Sequence, residues 1–250
     1  MILKISIITA CYNSVKTIKD TINSVNSQNY KEIEHIVIDG GSTDGTLDFL
    51  YSIKPKISKL VSEKDNGIYD ALNKGINYSS GDIIGFMHAD DVFEDENVLQ
   101  KIATAFEDPK IDAVYGDLVY VKSNDITKVI RYWKSSLYDD ESFSRGWMPP
   151  HPTFYVRRYV YERLGGFDTS YRISADYDIT LRFLATGHIC ATYIPKVFVR
   201  MRLGGVSNRS LRTIFNKSIE DYKIIKRNKA GGIFSLICKN FRKLPQFLRH

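Results

Sequence analysis

Short apolar runs alternate with polar, glycine-bearing stretches through the first hundred residues. Ile5–Ile8, Ile36–Ile38, Ile57–Val61 and Ile83–Met87 have the length and β-branched content of buried strands. Val15, Ile18, Ile22 and Val25 recur at helical spacing and predict a helix from Ser14, its cap, to about Gln28. A second helix is expected from Thr46, and a third over Ile68–Tyr78, where Ala71, Leu72 and Gly75 suit close packing. Each predicted strand runs into a polar loop: Thr9–Asn13, Asp39–Thr46, Glu63–Gly67 and His88–Asp91. Strand, loop and helix recurring in series predict an α/β fold with a parallel sheet and helices on both faces. Open sheets of that kind bind ligands beyond the carboxyl ends of their strands, where these loops fall.

Beyond residue 110 the pattern changes. Ala113–Tyr115, Leu118–Val121 and Val129–Trp133 read as β segments, with a turn at Ser123–Asp125. Tyr138–Gly146 reads as loop, and three prolines stiffen Met148–Phe154. Helices are predicted over Arg157–Leu164, closed by Gly165 and Gly166, and over Ala175–Thr186, ending at Gly187. Ile189–Ile194 and Val197–Met201 read as strands, and helical sequence resumes near Ser210.

Charge divides the chain. Residues 209–250 hold 11 Lys+Arg against 2 Asp+Glu, although the whole chain is only +6. The basic tail points to an anionic partner, and by charge alone a membrane surface and nucleic acid both fit. On a helix, Ile233, Phe234, Leu236, Ile237, Phe241, Leu244, Phe247 and Leu248 fall on one side. Lys239, Arg242, Lys243 and Arg249 fall on the other. That is the pattern of a helix lying in a membrane interface, with Pro245 interrupting it. The competing expectation is that the apolar side packs on the body. Cys11, Cys190 and Cys238 are scattered, without the spacing of a zinc site or disulfide framework, so a reducing compartment is expected. Met1 runs directly into strand-like sequence without a secretory pattern, and no stretch has the roughly 20 apolar residues of a membrane span.

The fourth apolar run ends in His88, Asp90 and Asp91. Carboxylates at a strand end suit Mg²⁺ or Mn²⁺, which bridge to a diphosphate, although capping of the next helix explains Asp91 equally well. The dinucleotide fingerprint GxGxxG is absent after the first strand, and so is the P-loop. A nucleotide is then expected to rest on several polar loops at once.

Eight segments, in this order, resemble the family-2 glycosyltransferases of the GT-A fold: Ile7–Asn13, Val37–Thr46, Ser62–Gly75, Gly85–Asp91, His151–Phe154, Gly165–Asp168, Ala175–Asp178 and Gly204–Ser207. The resemblance implies a GT-A domain over 1–208, with a nucleotide-binding half to about 110 and an acceptor half from about 111. Residues 209–250 form a C-terminal helical extension. It implies transfer of a sugar from a nucleotide diphosphate sugar, UDP favoured, to a hydroxyl of a glycan or lipid-linked acceptor in surface-polysaccharide synthesis. The reaction is expected to invert the anomeric carbon. Carried over by position, Thr9, Tyr12, Asn13, Asp39, Asp44, Asp65 and Asp90 are expected around the nucleotide, with Asp39 on the uracil ring. Asp90 and Asp91 are the expected ligands of Mg²⁺ or Mn²⁺. Asp176 is the expected base, ahead of Asp178, and His88, His151, Asp178, Arg200 and Arg202 are expected near acceptor or diphosphate. Two positions depart from the family pattern: His88 stands where an aspartate is usual, and Ala175 where a glutamate is usual. They leave open a nucleotide-sugar-binding subunit that has lost catalysis. A sugar nucleotidyltransferase is the other alternative, although Thr9–Ser14 lacks its basic, glycine-rich loop. The expected location is cytoplasmic and peripheral at the inner membrane face, through 209–250, with no nucleic-acid partner.

Overall fold

The apolar runs of the first hundred residues pair in parallel. In the computed structural model, which describes residues 2–204 and 211–242, β1 (Ile5–Cys11) lies between β2 (Ile33–Asp39) and β4 (Ile83–Phe86). Strand β3 (Lys59–Ser62) flanks β2. The registers set Cys11 beside Asp39, Asp39 beside Ser62 and Ile8 beside Phe86, so the loops after all four strands leave one edge. Side chains alternate across β1. Ile8 and Ala10 join one core with Ala71 and Leu72 of α3 (Ile68–Tyr78), while Ile5 and Ile7 join a second with Val98, Leu99 and Ile102 of α4 (Val98–Ala105). A Cβ on Gly75 would lie 2.3 Å from Ile8, so only glycine lets α3 come this close to β1. Ile18 and Ile22 of α1 (Ile18–Asn26) and Leu50 of α2 (Thr46–Ser52) close a third cluster around Val37.

The sheet continues from β4 through β8 (Tyr155–Arg157), β6 (Ala113–Lys122) and β9 (Ala191–Arg202) to β5 (Val92–Phe93), and β7 (Asp125–Trp133) pairs with β6. Strand β8 is antiparallel to both β4 and β6, while β9 is parallel to β6, so the sheet is mixed. Helix α5 (Arg158–Leu164) follows β8. Helix α6 (Ala175–Leu181) widens into a π-helical turn over Arg182–Thr186. Helices α7 (Leu211–Arg227) and α8 (Ile233–Phe241) pack on this half, with Ile224, Ile225 and Leu236 in the first core.

Several boundaries differ from the sequence pattern for physical reasons. The two segments expected at 189–201 are one strand, β9; its pairing with β6 shifts register between Tyr115 and Asp117, opposite Pro195, which has no N–H to donate. Helix α1 begins at Ile18 and not at Ser14; the Ser14 carbonyl accepts the Thr17 and Ile18 N–H groups in a turn that precedes the helix, while Thr46 Oγ1 and Asp44 bind the Ser14 and Val15 N–H groups. Strands β5 and β8 are two and three residues long, too short for a period to register. Most of the glycine-rich segment Gly204–Ser207, and the tail positions from Lys243 onward, lie outside the described residues.

The two halves are tied by Asn73 of α3. Its Nδ2 donates to the Phe167 carbonyl at 2.9 Å and its Oδ1 accepts the Phe167 N–H at 2.8 Å. Gly166 beside it has no room for a Cβ, which would lie 2.4 Å from Asn73 Oδ1. Asn73→Ala leaves both peptide groups of that junction unpaired. It is expected to cost about 2–3 kcal/mol, read from urea denaturation, with Asn73→Asp intermediate because it keeps the acceptor.

Candidate active site

The loops after β1, β2 and β3 lock to one another before they can hold anything else. Asn13, at a φ of 50°, accepts the Thr43 N–H at 2.8 Å and donates its own N–H to Ser42 Oγ at 2.8 Å. Asp44 binds Thr46 through Oδ1 and the Val15 N–H through Oδ2, and the Thr46 hydroxyl above all holds its carboxyl below the usual range. These contacts make Asn13 and Asp44 the frame of the pocket. What the frame presents is Tyr12, 63% exposed, and Asp65. A Cβ on Gly40 would sit 2.4 Å from Asp65 Oδ2 and 3.5 Å from the Tyr12 ring, so only glycine lets the Asp65 carboxylate lie this close to the loop after β2.

Two of the expected nucleotide contacts, Asp39 and Thr9, are not exposed beside Tyr12 and Asp65. Asp39 is fully buried, and its oxygens accept the N–H groups of Gly41 and Ser42 and the hydroxyls of Ser42 and Ser62. It shapes the loop, as turn-capping aspartates do, and has no oxygen left for a base. Thr9 is also buried, its hydroxyl 3.0 Å from His35 Nε2. Neither burial nor saturation is visible in a one-dimensional pattern.

After β4 the chain turns tightly, the Asp91 N–H reaching the His88 carbonyl at 3.0 Å, and Thr21 of α1 binds the Asp91 carbonyl at 2.8 Å. Arg202 fastens the same turn from β9: its guanidinium binds the Asp90 carbonyl and Asp20, and its N–H donates to Asp91 Oδ1 at 3.1 Å. Backbone anchoring leaves the Asp90 carboxylate with no hydrogen bond or ion pair of its own among the described residues. Asp91 is fully buried. Burial first, and the Asp90 charge second, push its carboxyl well up, and its Oδ2 has no partner. The Arg202 guanidinium is thus bound to Asp20 and to the Asp90 and Ser123 carbonyls, where it was expected near acceptor or diphosphate. Arg200 is corrected likewise, being paired with Glu94 at 2.7 Å and bonded to the Ile126 carbonyl.

The floor between the halves is aromatic. His151 stacks on Phe86 at 5.4 Å, meets Phe167 edge-on at 5.6 Å and lies 6.1 Å from His88, centroid to centroid. Both His151 ring nitrogens and His88 Nδ1 are buried without partners. Burial pulls His151 down to about 4 and lowers His88, against the opposing pull of Asp176 on both and of Asp90 on His88. The two histidines are thus kept neutral by burial, His88 near both Asp90 and Asp176 and His151 near Asp176.

Asp176 stands in the first turn of α6, half-buried. Its Oδ1 accepts the Tyr177 N–H at 2.9 Å and lies 3.3 Å from the Tyr69 hydroxyl, which donates to the Ile173 carbonyl at 2.7 Å. Its neighbour Asp178 is 1% exposed and bound to Arg182 at 3.1 Å and to Asn228. Asp178 joins α6 to the end of α7 and does not reach the cleft, so only Asp176 of the pair is available for chemistry.

The sequence pattern did not reveal the contribution of α7. Glu220 accepts three consecutive N–H groups, from Arg172, Ile173 and Ser174, at 2.9–3.0 Å, immediately before the helix that carries Asp176. A carboxylate on such a run of amides is a strong charge-assisted clamp. Arg227 on Asp168 at 2.6 Å and Lys239 on Asp221 at 2.8 Å extend it. The only signal available in advance was that the tail's two acids adjoin on one helix.

The chain matches the sequence model described as Glycosyl transferase family 2 over residues 6–172. A PGL/p-HBAD biosynthesis glycosyltransferase of Mycobacterium bovis is 27% identical over 219 residues, 86% of this chain and 83% of the relative. Among solved structures, S. aureus TarS 1-349 in complex with UDP has a TM-score of 0.67 at 18% identity, covering 98% of this chain and 71% of that one. In another TarS 1-349 structure the chain covers 64% of that protein's length. Mannosyltransferase PcManGT from Pyrobaculum calidifontis, in complex with GDP-Man and Mn²⁺, has a TM-score of 0.67 at 20% identity, covering 99% and 74%. The likeness to these structures shows a shared fold.

Glu220→Ala is expected to free the Arg172–Ser174 amides. Hydrogen exchange across that loop should speed up by the equivalent of roughly 2–4 kcal/mol of local opening, with Glu220→Gln in between.

Proposed function

The chain belongs to glycosyl transferase family 2, and we propose that it is an inverting transferase using a nucleotide diphosphate sugar, with UDP as the nucleotide and Asp176 as the base. The acceptor hydroxyl oxygen attacks the anomeric carbon, the bond from that carbon to the diphosphate breaks, and UDP leaves with the electron pair. Asp176 takes the hydroxyl proton as the new glycosidic bond forms. The observation that carries this reading is the disposition of the cleft. The Asp90 carboxylate, unpaired among the described residues, stands in the turn after β4; Asp176 stands in the first turn of α6; and uncharged His88, with His151 beside it, feels both carboxylates. In this reading the donor diphosphate lies toward Asp90 and the acceptor toward Asp176.

The nucleoside would lie against the exposed Tyr12 ring and Asp65, with Asp65 rather than Asp39 offering a carboxylate to a base N–H. Support for UDP comes from the sequence resemblance and from the UDP held by TarS, while PcManGT holds GDP-Man. No three potential metal ligands cluster among the described residues, and the residues fit a divalent cation in one respect: the Asp90 carboxylate, unpaired among them and just past a strand end, leaves further oxygens for the diphosphate to supply. Asp90 would hold Mg²⁺ or Mn²⁺, with the buried Asp91 behind it, and the ion when bound would neutralise charge on the departing diphosphate. A glycan or lipid-linked acceptor is favoured, in keeping with a relative named for PGL/p-HBAD biosynthesis.

Asp176→Asn is expected to keep UDP-sugar binding and lose about 10²–10⁴-fold in kcat, since only proton removal is affected. Near-normal turnover of that variant would remove Asp176 from the mechanism, and retention of donor without any turnover by the unmodified chain would mark a binding subunit.

By calorimetry UDP should bind more tightly than ADP or GDP, and Asp90→Ala should weaken UDP and abolish any response to Mn²⁺. Equal affinity for all three nucleotides would overturn the uridine assignment.

A further inference from the structure

Helix α8 is amphipathic in the reverse sense. The side chains it turns inward are Ser235, Leu236 and Lys239. Lys239 is 5% exposed, 2.8 Å from Asp221 and 3.2 Å from the centroid of the Tyr177 ring. The side chains it turns outward are Ile233, Phe234, Ile237 and Phe241, with Phe234 70% and Phe241 64% exposed. At ~100° per residue these four lie within one stripe. The structure thereby redraws the expected faces: Leu236 leaves the apolar stripe for the core, and Lys239 leaves the solvent side for a buried ion pair.

Helix α7, packed against α8, shows the same exposure. Phe215, 66% exposed, Ile219 and Tyr222 share a face with Lys226, and Lys223 borders it. Both acids of 211–242 are turned the other way. Glu220 is bound to the Arg172–Ser174 amides, and Asp221 is buried with Lys239. The outward faces therefore offer isoleucine, phenylalanine and tyrosine beside exposed Lys223, Lys226 and Lys229, with no carboxylate. Apolar side chains set among lysines and free of acids match a bilayer surface carrying anionic headgroups. They do not match a second copy of the chain, which would bring the same uncompensated cations together.

We propose that the outward faces of α7 and α8 dock the chain on an anionic lipid bilayer. The inward faces of the same helices hold the loop and helix that carry Asp176, so docking sets the acceptor half against the membrane surface. The docking itself does not depend on the assignment of the base or of the donor.

The test is co-sedimentation of the full chain with vesicles of phosphatidylcholine alone or mixed with phosphatidylglycerol, across a salt series. Truncation before α8 is unsuitable, because it would remove the partner of Asp221. Binding to the mixed vesicles is expected, falling as salt rises. The exposed double variant Phe234→Ser/Phe241→Ser should melt as the parent does and bind about tenfold or more weakly. Lys223→Glu/Lys226→Glu should lose binding to the mixed vesicles. No binding to either vesicle would overturn the proposal, as would binding that is indifferent to the phenylalanines. A monomer–dimer equilibrium abolished by the phenylalanine substitutions, without lipid binding, would assign these faces to a second copy instead.

Discussion

The structure depends on keeping one carboxylate, Asp176, at the edge of a cleft from which its own helix cannot support it. Helix α6 has seven residues before its π-helical turn, and so short a helix has little stability alone. Its position is imposed from three sides. Tyr69 of α3 bonds the Ile173 carbonyl, Glu220 of α7 gathers the Arg172–Ser174 amides, and Asp178 is drawn down onto Arg182 and Asn228. Hydrogen bonds to a charged group are worth roughly 1.5–3 kcal/mol each, so the Glu220 clamp outweighs the intrinsic preferences of so few residues. Helix α3 and the tail helix α7 thus cooperate in placing a group that belongs to neither.

This division explains what was legible in the sequence. The parallel strands, the loops at their carboxyl ends and α3 were readable because each is written in consecutive residues, as period, turn chemistry or glycine placement. The partners of charged side chains were not. Arg202 finds Asp20 across 182 residues, and Arg200 finds Glu94 across 106. An arginine near a glycine-rich segment looks the same whether its guanidinium is free or already paired. Asp39 is harder still, because the motif that marks it is also what saturates it: the serine and glycine beside it supply the N–H and hydroxyl donors that occupy its oxygens. Around Asp90 and Asp176 it is the next acid along, Asp91 or Asp178, whose carboxylate is taken up by partners from β9, α6 and the end of α7.

The histidines of the floor show which force wins inside the cleft. Asp176 pulls both His88 and His151 toward the charged form, and Asp90 pulls His88, while burial, for His151 against Phe86 and Phe167, pulls the other way and prevails. Desolvation disfavours the charged form of a fully buried ring more than these carboxylates favour it. The floor therefore adds shape and hydrogen-bonding nitrogen atoms without adding charge.

Lys239 obeys the same balance with a different outcome. Burial draws it down to about 8, and Asp221 and the Tyr177 ring offset part of that cost. Such a pair adds little net stability over an apolar one of the same size, so its effect is better sought in specificity. Rotating α8 about its axis would bury Ile233, Phe234 and Ile237 and release Lys239 to solvent, the arrangement most amphipathic helices adopt. Asp221, whose ion pair among the described residues is to Lys239, would then lose it while buried, a loss of several kcal/mol. The backbone of Gly146, too close to Cys238 and Lys239 to admit a Cβ, fits α8 in the observed orientation. A lysine that anchors the inner face thus keeps the phenylalanines on the outer one.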